Sequence, residues 1–429
     1  MIEFYFMLTT PIPASIPQPR QGLRANAGQF WLLVLVNAFV GSMVGLERSI
    51  LPAFGKEVFG IEGKAALLSF LVAFGSSKAL FNLVTGQLVK RFTRKKILLL
   101  GWLAAIPVPF LLMYAPSWGW VIAANVFLGI NQGLAWSSTV IMKIDLVGEK
   151  NRGLAMGINE FAGYVSVGLA AYLAATIAAA KGYAFFPFLP GIAFSLAGVF
   201  LTLFFVKDTL HLVRHEAVRH KGPLLPHLWR STSFSHPNLG SVTLNGLVNN
   251  LNDGVIWGLL PVFLLQKNFS ISQVGIVAGV YPAVWGLGQL FTGRLGDAVC
   301  KKQVITAGMW LQAIGLAVLA ASASFLPALL SMVLMGIGTA MVYPNFLSEI
   351  AANTHPLQRA ESLSIFRFWR DSGYVIGALV SGVLADQWGI PFTLVIIAMV
   401  TAAAGLVAHI RMCCTNKLLW PSQRCVEVF

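Results

Sequence analysis

Twelve apolar runs occupy most of this chain, and they constrain its fold more than any motif does. They cover roughly residues 29–52, 65–89, 97–114, 119–142, 154–178, 187–206, 240–264, 274–296, 304–325, 327–349, 361–385 and 391–411. A helix crosses the hydrocarbon core of a bilayer with about 20 apolar residues. Lipid offers no partner to backbone N–H and C=O groups, so a run of that length reads as a transmembrane helix. Only 11% of the 429 residues are charged, against about 25% in a soluble domain. A water-facing globule is excluded.

One long polar gap, 207–239, divides the runs six and six. The expected organisation is a tail over 1–28, a first half over 29–206, a linker over 207–239, a second half over 240–411 and a tail over 412–429. Residues 1–28 lack a basic leader followed by an apolar core and a cleavage site, so they read as a cytoplasmic tail and not a signal peptide. The net charge is +14, but the cations sit in the gaps between runs, which argues against nucleic acid as a partner. Counting Arg48, Arg294 and Arg411, at the edges of runs, with the loops or tail they adjoin, the N-terminus, the even-numbered loops and the C-terminal tail hold 22 Lys and Arg, and the odd-numbered loops hold five. Lys78, Arg367 and Arg370 fall inside runs. The positive-inside rule then puts both termini and the linker in the cytoplasm of a multi-pass protein of the plasma or bacterial inner membrane.

The two halves repeat one another. Gly86–Lys96 (GQLVKRFTRKK) and Gly293–Lys302 (GRLGDAVCKK) are short charged turns between apolar runs, 207 residues apart, matching at Gly86/Gly293 and Leu88/Leu295. Gly129/Gly336 and Arg152/Arg359 share that offset; Asn37/Asn245 and Pro52/Pro261 are shifted by one or two. Such order implies two parallel-related six-helix units.

On these residues the chain resembles the major facilitator superfamily from about residue 29 onward. The first hairpin is similar to that superfamily's G-x-L-x-D-R-x-G-R-[KR] signature between helices two and three. Within it, the nearest likeness is to the drug:proton antiporter-like group. Lys90 stands where the signature has Asp, and Thr93 where it has its second Gly. In helix four the antiporter pattern R-x-x-Q-G reads Gly129-Ile-Asn-Gln132-Gly133, without the Arg, and helix five has Gly163-Tyr164 in place of Gly-Pro. The resemblance implies an all-α integral membrane fold of 12 transmembrane helices in two pseudo-symmetric halves. Helices 1, 2, 4, 5, 7, 8, 10 and 11 would line a central cavity, with 3, 6, 9 and 12 against lipid.

Polar residues inside a bilayer are costly and mark pathways or packing contacts. Helix seven carries Asn245, Asn249, Asn252 and Asp253 at i, i+4, i+7 and i+8, one helical face, with Trp257 beyond. Helix four carries Asn125, Gln132, Trp136 and Thr139. The expected cavity set is completed by Asn37, Lys78, Glu160, Tyr164, Tyr281, Trp285, Gln289, Tyr343, Arg367, Arg370 and Tyr374. The competing reading of any single amide is cross-linking between packed helices, worth about 1 kcal/mol. Lys78 and Asp371 lie at similar depth and are an expected pair. Arg367, Arg370 and Lys78 either line a path for an anion or form a gate neutralised by Glu160 and Asp371. Asp253 and Glu160 are the proton-coupling candidates, with Glu47 behind them. The gate set is Gly86, Arg91, Arg94, Asp145, Gly293, Asp297 and Asp371. Asp297 is expected to latch the start of helix five, Arg91 or Arg94 to pair with Asp145, and Lys90 to leave its latch loose.

Cys300, Cys413, Cys414 and Cys425 show no metal-type spacing and fall where cytoplasm is expected; they read as reduced, either structural or bystanders. The histidines crowd the linker, with no metal or catalytic constellation. No G-x-x-x-x-G-K-[ST] loop is present, which argues against ATP hydrolysis. Expected, then, is a monomeric secondary transporter, not an enzyme, with no cofactor. It would move a small organic solute in a lipid bilayer, anionic or amphiphilic, by antiport with protons as coupling ion and with efflux as the leading direction. Proton-coupled uptake or facilitated diffusion of an organic anion is the alternative; a receptor or membrane enzyme is the rival class.

Overall fold

The computed structural model describes residues 21–48, 50–61, 64–220, 222–414 and 416–422. Long helices follow the apolar runs in order: α1 (Ala27–Arg48), α2 (Lys64–Leu88), α3 (Arg94–Ala105, continued by Pro107–Met113), α4 (Trp118–Asn131, a π-helical turn Gln132–Trp136, then Ser137–Val147), α5 (Arg152–Lys181), α6 (Leu189–Phe204), α7 (Pro237–Gln266), α8 (Ile271–Ala298), α9 (Lys301–Ala321), α10 (Phe325–Ala352), α11 (Arg359–Trp388) and α12 (Ile390–Arg411). Among the described residues, nine helical stretches are long and apolar enough to cross a membrane. The helices outside that set are α2, α4 and α11, which carry Lys78, Lys143 and the Arg367–Arg370–Asp371 group.

Helix ends are set by local chemistry. Thr93 accepts a hydrogen bond from Lys96 N at the start of α3, and Ser270 with Gln273 forms a capping box at the start of α8. Pro107 lacks the N–H an unbroken helix needs, and α3 is divided at Ile106 just before it.

Within each half the equivalent pairs pack tightly: α1 on α5, and α7 on α11. Small residues allow this approach, as they do in membrane bundles generally. A Cβ on Gly41 would stand 2.3 Å from Gly163 O, and one on Gly373 2.1 Å from Leu247 O. The halves meet along α2–α11 and α5–α8. Both described chain ends lie at the same end of the bundle as the basic loops, here called the basic end: Gly22 N donates to Leu146 O, and the C-terminal segment joins the α8–α9 turn through Val299 and Lys417.

That last contact corrects the reading of the cysteines. Cys300 and Cys414 form a disulfide, and Cys413 is also disulfide-bonded; Cys425 lies outside the described residues. The pairing was hidden because the partners are 114 residues apart. Folding brings the start of α9 beside the segment after α12, where Cys300 N donates to Lys417 O at 2.8 Å. Two boundaries also differ from expectation. The helix α7 begins at Pro237, before residue 240, and the linker holds a helix of its own, Leu210–Arg219. Lys143, expected in a cytoplasmic loop, lies inside α4 with no solvent exposure.

Candidate functional site

Between the halves lies a cavity of about 720 Å³. The π-helical turn in α4 brings Gln132 and Trp136 to its wall; such turns insert one residue and re-aim side chains, often at functional sites. From the predicted set, Lys78, Gln132, Trp136, Tyr164, Asp253, Trp257, Trp285, Arg370 and Tyr374 line it, together with the predicted gate residue Asp371. The lining continues through Phe70, Pro52, Gly168 and Gly279, all toward the helix ends opposite the basic end.

Charge is concentrated on one side of this cavity. Arg370 donates to Asp371 at 2.8 Å, and Lys78 Nζ lies 3.7 Å from the same carboxylate. Asn82, which sequence reading missed, also donates to Asp371 at 2.6 Å. Lys78 Nζ stands 5.8 Å from the Phe74 ring centre and 5.9 Å from that of Trp136, and Arg370 lies 4.1 Å over Tyr343. Such ring faces attract cations electrostatically. On α7, which packs against α11, Asp253 accepts from the Tyr281 hydroxyl.

Beneath the cavity runs a buried polar chain that crosses from one half to the other. Lys143 donates to Asn159, and Asn159 to Glu160 at 2.7 Å. Trp136 Nε1 also reaches Glu160, at 3.1 Å, and Arg367 lies 3.8 Å from it. Arg367 donates to Ser137, which donates in turn to Asn82. Glu160 and Arg367 therefore form the floor and do not line the cavity. Tyr164 and Trp285 close over them from opposite halves, with ring centres 4.2 Å apart.

Several predicted cavity residues pack elsewhere. Asn249 and Asn252 face α9 and α12: Gln312 donates to Asn249, Asn252 donates to Gln312, and Thr401 donates to Asn252. These amides bond to one another across helices, which is the cross-linking alternative, although Asn249 Nδ2 has no partner among the described residues. The cavity stripe of α7 is Asn250, Asp253 and Trp257 instead. Asn37 joins Thr139 and the Asn159 carbonyl, Asn125 and Asn245 bond back to their own helices, and Tyr281 and Tyr343 stand behind the wall. Gln289 is buried on α8, its amide without a partner among the described residues.

The basic end is closed. Asp297 accepts from Gly153 N at 2.8 Å and Leu154 N at 2.9 Å, the exposed donors at the start of α5; that helix end favours negative charge. A Cβ on Gly153 would fall 2.2 Å from Gly293 O, so bare backbone is what lets α5 and α8 touch here. Arg94 lies 3.6 Å from Asp145. Lys90, expected to leave its latch loose, does have a partner: its Nζ lies 2.7 Å from Glu361 at the start of α11, in a pair that reaches solvent. Where the signature has an acid, this chain inverts the sign and supplies Glu361 as partner. Sequence reading also missed Glu216 in the linker helix, which accepts from Arg152 of one half at 3.0 Å and from Arg359 of the other at 2.6 Å. Burial raises its carboxyl, but the hydrogen bonds and charge of Arg359, with Arg152 and Gln21, outweigh that and bring it down to about 2.

Two paired six-helix halves, a cavity between them and signature hairpins at the closed end are the marks of one architecture. The sequence profile of the Major Facilitator Superfamily matches residues 30–239 and 242–412. The chain belongs to that superfamily. Its fold is shared with the human organic anion transporter MFSD10 (TM-score 0.72, 16% identity, 89% of this chain and 99% of that one). It is shared too with the transporter FucP in the outward conformation (TM-score 0.70, 16% identity, 89% and 98%). Among curated proteins, similarity extends to multidrug resistance protein MdtH of Aeromonas hydrophila, 29% identical over 177 residues, covering 40% of this chain and 42% of that protein. The efflux pump terJ of Aspergillus terreus is 32% identical over 174 residues, 39% of this chain and 33% of that one. The chain thus spans less than half the length of the curated relatives it matches. The superfamily and these solved neighbours are transporters, not enzymes, and the chain is a multi-pass membrane protein.

Proposed function

We propose that this protein is a proton-coupled secondary transporter that moves a small organic solute by alternating access. The observation carrying this reading is one-sided access: a cavity open away from the basic end, over a basic end sealed by Asp297 on α5 and by Lys90 on Glu361. Alternating access needs a central site whose two gates are not open together. Excess cations make the basic end cytoplasmic, so the state is outward-facing, in a plasma or bacterial inner membrane, and the working unit is a monomer.

Asp253 is the proton carrier in this reading. It is a carboxyl on the cavity wall, and an intramembrane acid beside a water-filled path is the usual seat of proton coupling. Glu160, enclosed by Trp136, Asn159 and Arg367, is a fixed counter-ion instead. The name of terJ, an efflux pump, supports export as the direction. The test is solute flux in proteoliposomes under a pH gradient of either sign, with a metabolite and drug panel inside or outside. Solute-dependent proton movement that is abolished in Asp253→Asn is the expected result. If neither solute nor proton moves, the transport reading is wrong; if Asp253→Asn couples normally, the carrier lies elsewhere.

A further inference from the structure

The transport reading leaves the solute unnamed. Resting on that reading, we infer that the cavity takes an organic anion with an aromatic body, its carboxylate bound between Lys78 and Arg370 while Asp253 carries a proton.

Among the described residues, four charged side chains line the cavity: Lys78, Arg370, Asp253 and Asp371. Asp371 is shared by both cations, at 3.7 Å and 2.8 Å, and also accepts from Asn82. One carboxylate therefore serves two cations. Arg370 Nε is buried with no hydrogen-bond partner among the described residues, so its guanidinium fork retains donor capacity. Carboxylate is the group such a fork holds best. The second cavity acid, Asp253, is engaged by Tyr281. The tyrosines facing this space, Tyr164 and Tyr374, bring no charge. From beneath, Arg367 lies 3.8 Å from the carboxylate of Glu160, a pair whose charges cancel.

The sign of the site follows from charge balance in a medium where a surplus charge is costly. With Asp253 ionised, the four cavity charges cancel. A bound anion would then leave one negative charge too many, and a proton on Asp253 restores neutrality. A cationic solute would find Asp371 already shared by two cations and would depend on an ionised Asp253. Anion and proton thus bind together and leave together. An acid made inside the cell can leave with its proton down its own gradient, so the inference is compatible with export. The body of the solute meets Trp136, Tyr164, Trp257 and Trp285, and the cavity volume of about 720 Å³ suits a small aromatic molecule.

The experiment is calorimetric binding to the purified, full-length protein, using a panel of aromatic carboxylates each paired with its neutral primary amide. Binding avoids the leak of weak acids through the bilayer. At least one carboxylate should bind about tenfold or more tighter than its amide, and tighter as pH falls from about 8 to about 6. Arg370→Gln and Lys78→Gln should abolish the preference, Lys78→Arg should keep it, and Asp253→Asn should remove the pH dependence while retaining carboxylate binding. A panel with no carboxylate preferred over its amide overturns the inference, as does a preference that survives Arg370→Gln or weakens as pH falls. Flux of a neutral or cationic solute in proteoliposomes, alongside such a result, would retain transport and remove only the anion; absence of all flux would remove transport itself.

Discussion

Lys90 Nζ lies 2.7 Å from Glu361 Oε1, joining the first hairpin of one half to the start of α11 in the other. Both side chains reach solvent, so the pair contributes about 0–1 kcal/mol. Lys90→Glu should weaken closure of the basic end by adding repulsion, and Lys90→Glu with Glu361→Lys should restore it. Interspin distances between labels on the two hairpins measure this; a double variant as open as the single one would show that the pair does not hold the seam.

Asp297 is the stronger latch. Its carboxylate takes two backbone N–H groups at the start of α5, and each charge-assisted hydrogen bond is worth about 1.5–3 kcal/mol. Asp297→Ala should slow transport far more than Lys90→Ala, while Asp297→Asn, keeping one acceptor oxygen, falls between them. Initial rates in proteoliposomes decide the order, and equal losses at the two positions would refute it.

Glu216 gives the linker a mechanical role that can be read through pH. Its carboxyl sits at about 2 against an ordinary 4.5, with burial opposing and Arg359 and Arg152 favouring the charged form. The folded value is the lower one. The clip's stabilisation is therefore complete above about 4.5 and is lost as pH falls toward about 2. Glu216→Gln should lower the unfolding temperature at neutral pH, and the gap from wild type should close across that acidic window. A gap that stays constant down to the lower limit would deny the charge its part.

How legible this was in the sequence depended on the kind of signal. Helices and halves were legible because apolar length and the repeat are local properties. The direction in which α7 points was not. Asn249 and Asn252 look like a cavity stripe with Asp253, yet a turn of one residue puts Asn250 on the wall and gives the other two to Gln312. Periodicity reports that residues share a face; only packing reports what the face meets. Lys143 near the end of a run is indistinguishable from a loop cation until α5 is seen to cover it with Asn159. Glu216 and Glu361 lay unnoticed because their partners, Arg359, Arg152 and Lys90, come from distant parts of the chain.

The glycines at the closed end make a prediction in volume instead of charge. Gly153 and Gly293 face each other so closely that a Cβ on either would stand 2.2–2.3 Å from the other's carbonyl oxygen, and backbone cannot give way as a flexible side chain can. Gly153→Ala or Gly293→Ala should hold the basic end ajar without unfolding either half. Cysteines placed at this seam should then react faster with a soluble maleimide applied from the basic side. Unchanged labelling would mean that α5 and α8 do not need this contact.

Asp371 closes the set, because three donors converge on it: Arg370, Asn82 and, at 3.7 Å, Lys78. Were Lys78 and Asp371 a simple pair, exchanging them would restore what each single variant loses. The geometry argues otherwise, since a lysine at 371 would stand beside Arg370 with like charge and would leave Asn82 without its acceptor. Lys78→Asp with Asp371→Lys should remain inactive. Lys78→Arg, which keeps the charge where Asp371 can meet it, should retain much of the wild-type rate. Removing one partner of a buried charged group costs about 3–5 kcal/mol, so Asp371→Asn, which strips the acid from two cations, should be the most damaging of the neutral changes. Transport rates with unfolding temperatures as the control measure all of these, and full recovery in the exchanged variant would reduce the convergence on Asp371 to a single pair.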